Sequence, residues 1–364
     1  MDRIEKISNW LKNQGADCAF IHSKENVFYL TGFLTNPHER VMGVFLFPDE
    51  EPFFLCPNME VEQARTAGWN HQIIGYGDHE NPWHLVKIEL EKRKLAIEAA
   101  AIETEEISYA RAEDLKSVFS GAEFVSVDGK LKEERLVKDK REIEILREAA
   151  KLADYGVEVG VSTIKAGVSE MDVLAKIEFE LKKKGIQDMS FSTMVLFGEK
   201  SGKPHGNPGL EQLKEGDFVL FDLGVVFEGY CSDITRTFAY KHMDEKQNDI
   251  YNTVLHAETS ALKMCKPGVR IGDLDKKARE IIEESGYGDY FLHRLGHGLG
   301  ISVHEYPSIT HTNDLLLEKG MAFTIEPGIY LPEVGGVRIE DDILITNDGF
   351  ETMTSYPKDQ MIIK

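Results

Sequence analysis

The chain is 364 residues long, enough for two domains at roughly 150 residues each. Its formal charge of −21 would repel nucleic acid and anionic membrane surfaces, and no run approaches the ~18 apolar residues of a membrane span. The cysteines, at 18, 56, 231 and 265, form no CxxC pair, so neither a disulfide framework nor a thiolate metal site is expected, and a reducing, cytoplasmic setting fits.

Residues 1–15, MDRIEKISNWLKNQG, read as a charged amphipathic helix and not as a signal peptide. Strand-like runs follow in CAFIH, MGVFLF, PFFLC, QIIGY and KLAIEAAA, alternating with helical patterns near residues 60–67 and 82–93. Such alternation predicts an α/β layer domain over residues 1–126. The charged stretch DGKLKEERLVKDKREIE, residues 128–144, runs into a helix with Ile143, Leu146, Ala150 and Ala153 on one face, which opens a second domain over residues 127–364.

The second domain repeats itself. KAGVSEMDVLAKIEFELKKKG, starting at Lys165, aligns with KPGVRIGDLDKKAREIIEESG, starting at Lys266, at a constant offset of 101 residues. Downstream, GDFVLFDLG (from Gly216) matches GMAFTIEPG (from Gly320), which sets Asp222 on Glu326. GYCSD (from Gly229) matches GVRIE (from Gly336), which sets Asp233 on Glu340. A pseudo-two-fold fold would bring these four carboxylates together. Clustered and buried, they stay ionised only beside cations, and two divalent ions balance them charge for charge. Oxygen-rich ligation with one imidazole suits Mn²⁺, Co²⁺ or Fe²⁺ over a thiolate-seeking metal; affinity order does not choose among the three, and Mn²⁺ is the leading expectation. Candidate imidazoles lie in HRLGHGLGISVHEYP, residues 293–307, and at His205 in KPHGNPG; the spacing is not that of a helical HExxH site.

In this order, FDLG, YCSDITRTF, HGLGISVHE, TIEPGIY and GGVRIEDD resemble the metal-binding motifs of the pita-bread metallopeptidases, the family of methionine aminopeptidase, aminopeptidase P and prolidase. KENVFYLTGF, residues 24–33, resembles the creatinase-type N-terminal domain of its proline-specific members, and the likeness spans essentially the whole chain. The resemblance implies an α/β creatinase-like N-terminal domain and an α+β pita-bread domain, the latter a curved six-stranded antiparallel sheet backed by two helix pairs.

It further implies Asp222, Asp233, His297, Glu326 and Glu340 as ligands of two metal ions, with Asp233 and Glu340 shared by both. Glu326 would double as general acid/base. His205 and His304 would contact substrate, and Arg338 would stand beside the shared glutamate. Two such ions activate a water and polarise the scissile carbonyl. The cluster stays slightly negative and favours a nearby substrate amine. The implied activity is hydrolysis between an N-terminal residue and proline, in a dipeptide or, alternatively, a longer Xaa-Pro peptide. A non-catalytic binding relative or a metal-free creatinase-like amidinohydrolase would not need the full ligand set.

Phe191, Tyr230 and Tyr306 are candidate walls for the proline ring, with Tyr230 a substrate-binding candidate. Arg338 is a candidate for a substrate carboxylate. The loop TNPHERVMG, residues 35–43, is expected to follow a YLTGF strand and to present His38 and Arg40 to substrate in the partner subunit of a homodimer.

Overall fold

A computed structural model describes residues 3–359 and 362–364. The chain forms two compact units, one ending at Glu134 and the other beginning at Arg135.

In the first unit six strands form one mixed sheet in the order Gln72–Tyr76, Phe53–Pro57, Gly43–Leu46, Cys18–Ile21, Ala99–Ile102, Glu123–Ser126. The last three run parallel to one another, while Gly43–Leu46 is antiparallel to both its neighbours. Stacked rings fill the core: Phe45 lies 4.6 Å from Phe53 and 4.7 Å from Phe20, centroid to centroid. Each fully buried phenylalanine stabilises the fold by roughly 1.5–3 kcal/mol.

Two local expectations need correction here. The YLTGF segment is not a strand: residues Lys24–Thr31 are helical. Ser23 caps the helix by accepting from the Asn26 N–H, and Gly32 ends it at a φ of 73° that a side chain would disfavour. The buried carboxylate of Glu103 then gathers the Ser23 N–H and hydroxyl and the Asn26 amide at 2.9, 2.6 and 2.6 Å, fixing the start of the helix. KLAIEAAA yields a strand only at Ala99–Ile102, because Lys94 still closes the helix Pro82–Arg93.

In the second unit the internal repeat is physical. Helices Glu170–Lys183 and Ile271–Glu284 begin and end 101 residues apart and are 14 residues each. Each packs on a longer partner, Lys140–Thr163 and Glu245–Leu262 respectively. Each helix pair covers its own core. Phe221, Leu223 and Ile177 meet in one, with Gly156 and Gly160 letting the helix approach, since a Cβ there would lie 2.9 Å from Leu223 and 3.1 Å from Phe221. Val254, Ile282, Phe323 and Ile343 meet in the other.

The strands do not form one six-stranded sheet. They divide into a four-stranded sheet ordered Ile362–Ile363, Ile234–Tyr240, Phe218–Leu223, Met194–Phe197, a five-stranded sheet ordered Glu305–Ile309, Gly296–Gly298, Ala322–Ile325, Asp341–Ile345, Phe350–Thr352, and a small three-stranded sheet ordered Tyr230–Cys231, Val225–Phe227, Asp188–Met189. The hairpin Gly328–Leu331/Gly335–Arg338 stands beside them. The Thr237 hydroxyl interrupts the ladder at the seam. Thr237 Oγ1 donates to the Arg338 carbonyl at 3.0 Å and accepts the Arg338 N–H at 3.2 Å, while the Glu340 N–H reaches the Thr235 carbonyl at 3.1 Å.

Candidate metal centre and active site

The candidate ligands sit at strand ends along this seam. Asp222 is the next-to-last residue of Phe218–Leu223, Asp233 precedes Ile234–Tyr240, and His297 lies within Gly296–Gly298. Glu326 follows Ala322–Ile325, and Glu340 precedes Asp341–Ile345. Antiparallel pairing within each half and the repeat between halves turn five residues scattered over more than 100 positions into one cluster. Donor atoms of Asp233, His297 and Glu340 lie within 4.8 Å of one another. Nε2 of His297 stands 3.7 Å from an Asp233 oxygen and 3.5 Å from a Glu326 oxygen.

The electrostatics are those of a cluster built for cations. Oδ1 of Asp222, Oδ1 of Asp233 and Oε1 of Glu340 are buried and accept no hydrogen bond among the described residues. Unpartnered buried carboxylate oxygens are costly, which fits the divalent ions that balance them. Burial, together with the neighbouring carboxylates, pushes the pKa of Asp233 and Glu326 well up and that of Glu340 to about 7. His297 is pushed down to about 3, chiefly by burial. Its Nδ1 lies 3.1 Å from the Gly298 carbonyl, which can only accept, so Nδ1 carries the proton and Nε2 keeps a lone pair for a metal.

His293 differs for the same kind of reason. Its Nδ1 faces the Arg294 carbonyl at 2.8 Å, so Nε2 must accept from the Tyr330 hydroxyl, also at 2.8 Å. That lone pair is spent. Tyr330 in turn accepts from Arg338 Nη1 at 2.7 Å, and Arg338 donates to Asp222 at 2.5 Å and to Thr235 at 3.1 Å. Asp342 accepts the Asp233 N–H at 3.1 Å, so a further carboxylate holds the backbone of a ligand.

Above the cluster lies a cavity of about 580 Å³ lined by residues of the second unit, within the range of small-molecule sites. Phe191, Met194 and Val303 give it apolar walls, and His205, Arg294 and His304 give it polar ones. The His304 ring stands edge-on to His297, with centroids 4.1 Å apart.

Two aromatic residues expected as walls are not brought to this cavity. Tyr230 does not line it; its hydroxyl donates to Glu142 at 2.9 Å, because its strand packs against the helix Lys140–Thr163. Tyr306 is partly exposed and also absent from the lining, whereas Phe191 is present. Arg338 faces the cavity but is taken up by Asp222, Tyr330 and Thr235. In the first unit Arg40 pairs with Asp78 at 2.9 Å and with Glu39 at 3.1 Å, and the His38 N–H donates to Asn36. Arg294, Thr235, Tyr330 and Asp342 were not singled out from the sequence. Arg294 had a signal in its place beside His293, and Asp342 in the doubled acid of GGVRIEDD.

Comparison with known proteins agrees with this geometry. Residues 144–347 match Metallopeptidase family M24, and residues 3–137 match the Creatinase/Prolidase N-terminal domain. YkvY of Bacillus subtilis (strain 168), provisionally named a dipeptidase, is 66% identical over 363 residues and covers 100% of both chains. The prolidase from Pyrococcus horikoshii OT3 superposes with a TM-score of 0.91 at 34% identity over 98% of this chain and 99% of its own. The Xaa-Pro dipeptidase from Bacillus anthracis gives 0.92 at 35% identity over 99% and 98%. With a pita-bread domain that carries the carboxylate and histidine cluster and an N-terminal domain of the creatinase/prolidase kind, the chain belongs to the M24 metallopeptidases.

Proposed function

We propose that the enzyme is an Xaa-Pro dipeptidase that requires two divalent ions, Mn²⁺ foremost, held by Asp222, Asp233, His297, Glu326 and Glu340. Asp233 and Glu340 would serve both ions, Asp222 would complete the set for one, and His297 with Glu326 that for the other. The unpartnered oxygens at the floor of the cavity and the lone pair on His297 Nε2 support this set. When bound, the ions supply a water activated near neutral pH and polarise the scissile carbonyl.

The chain's own residues do the rest. Glu326 takes a proton from the attacking water and delivers it to the departing proline nitrogen. His205 and His304 hydrogen-bond the oxygen on which negative charge develops. The apolar walls at Phe191, Met194 and Val303 suit a side chain or the proline ring, which offers no N–H to recognise.

The observation that carries the dipeptidase reading is Arg294. Of the two arginines lining the cavity, Arg338 is engaged by Asp222, while Arg294 donates only to the Ser308 hydroxyl at 3.3 Å among the described residues. A guanidinium without a carboxylate partner suits the free carboxylate of a C-terminal proline. We assign that role to Arg294 in preference to Arg40 or Arg338. The free cysteines fit a reducing cytoplasm, and a homodimer that closes each cavity with the partner's 35–43 loop belongs to the same reading.

The test compares kcat/KM for an Xaa-Pro dipeptide, its C-terminal amide and an Xaa-Pro tripeptide after loading with Mn²⁺. The dipeptide should be preferred, and Arg294→Met should raise its KM about tenfold or more while leaving the amide unaffected, as for loss of a charged hydrogen bond. Faster turnover of the tripeptide would assign the enzyme to the aminopeptidase P side instead.

A further inference from the structure

His304 presents a positioning problem. It stands at the end of the loop of residues 299–304, which joins Gly296–Gly298 to Glu305–Ile309 where the pairing shifts register between His297 and Gly298. Its ring makes no side-chain hydrogen bond among the described residues, and the residue is exposed. Something other than its own contacts must hold it over His297.

The neighbouring residue is held firmly. The Glu305 side chain is 5% exposed and pairs with Arg135 and Lys138; Lys138, at 2% exposure, lies 3.3 Å away. The carboxylate also accepts the Ser302 N–H at 2.9 Å, and Arg135 donates to the Ser302 hydroxyl at 3.1 Å. Lys138 closes the group by donating to the Arg135 carbonyl at 2.7 Å. Burial alone would raise the Glu305 pKa, but Lys138 and Arg135 hold it below the usual carboxylate range. The loop backbone rests directly on the carboxylate, since a Cβ on Gly300 would come within 2.6 Å of Glu305 Oε2. From the other side, the Cys231 N–H, two residues before Asp233, donates to the Gly300 carbonyl at 2.7 Å.

Taking three charges out of water is expensive, and apolar residues of similar volume would stabilise the fold as well or better. What the group does supply is one defined geometry for the loop it binds. We propose that Glu305, clamped by Arg135 and Lys138, is the positioning residue that sets His304 over the metal cluster. Arg135 and Lys138, both of the second unit, lie where the helix Asp128–Leu136 gives way to Lys140–Thr163, so the entry to that helix holds the loop. The inference rests on the reading of His304 as a substrate contact.

A double-mutant cycle tests it, with Glu305→Gln and Arg135→Met made in wild-type and His304→Ala backgrounds and each protein checked for fold by thermal melting. Glu305→Gln should lower kcat/KM for an Xaa-Pro dipeptide by about tenfold to a hundredfold at unchanged metal content, the cost of a small misplacement. In the His304→Ala background it should change the rate less than about twofold, because its effect would pass through the missing ring. Equal losses in both backgrounds, loss of metal, or full activity in Glu305→Gln would overturn the proposal. Spectra of ¹³C-labelled histidine in the Zn²⁺-loaded protein give a readout independent of turnover: Glu305→Gln should shift the His304 signal and leave His293 in place. An unmoved His304 signal would equally overturn it, whereas absence of dipeptide turnover in the wild type would count only against the functional reading.

Discussion

The hydroxyl of Thr235 donates to Glu340 Oε2 at 2.7 Å while accepting from Arg338 Nε at 3.1 Å. Arg338 in turn donates to Asp222, so this hydroxyl touches the Glu340 carboxylate directly and the Asp222 carboxylate through Arg338. Thr235→Val, close in shape, should lower affinity for divalent ions about 10- to 100-fold, as losses behind a ligand generally do. Titration of the metal-free protein measures this; unchanged affinity would remove Thr235 from the account.

Replacing a shared ligand should cost more than replacing an unshared one. Asp233→Ala and Glu340→Ala should abolish activity and reduce metal content for both ions, whereas Asp222→Ala should retain about one ion and some turnover. Elemental analysis beside activity separates the two patterns. Equal loss from all three would contradict the assignment of shared and unshared roles.

Two histidines four residues apart should behave differently. His297→Ala should weaken metal binding, because Nε2 of His297 holds its lone pair free toward Asp233 and Glu326. His293→Ala should leave the metal content near wild type, because that nitrogen already accepts from Tyr330. Equal metal loss in both variants would mean that the tautomers are misassigned.

The metal-free protein should show a pH dependence of definite sign. Glu340 has a pKa of about 7 in the folded chain, above the ordinary ~4.3 of an unfolded glutamate. A raised pKa means that its contribution is fully present below about pH 4 and is lost as the pH rises through 7. Metal-free wild type should therefore lose up to about 3 kcal/mol relative to metal-free Glu340→Gln between pH 4 and 8. Denaturant unfolding across that range reads the difference, and a flat difference would contradict the raised pKa.

Much of the catalytic unit was legible because its logic is local and repeated. Glycine frames around Asp222 and Glu326, and around Asp233 and Glu340, carry over directly into paired strands, and the 101-residue offset into equal helices. Less legible was anything that depends on packing between distant segments. YLTGF is strand-like in composition, yet the Ser23 cap and the remote Glu103 make it a helix. Tyr230 lies in the ligand motif, yet it turns to Glu142, 88 residues away. The division of the sheet beside Thr237 could not be read from strand propensity, since threonine favours strands and here its hydroxyl takes the place of a ladder bond to Arg338.

On this reading the clustered carboxylates hold divalent ions that the chemistry needs. The most direct measurement is Xaa-Pro dipeptide turnover by protein stripped of metal, with the residual content determined by elemental analysis, followed by stepwise addition of Mn²⁺. The stripped protein should show no turnover, and recovery should saturate at about two ions per chain. Full turnover by protein verified to be metal-free would contradict this reading.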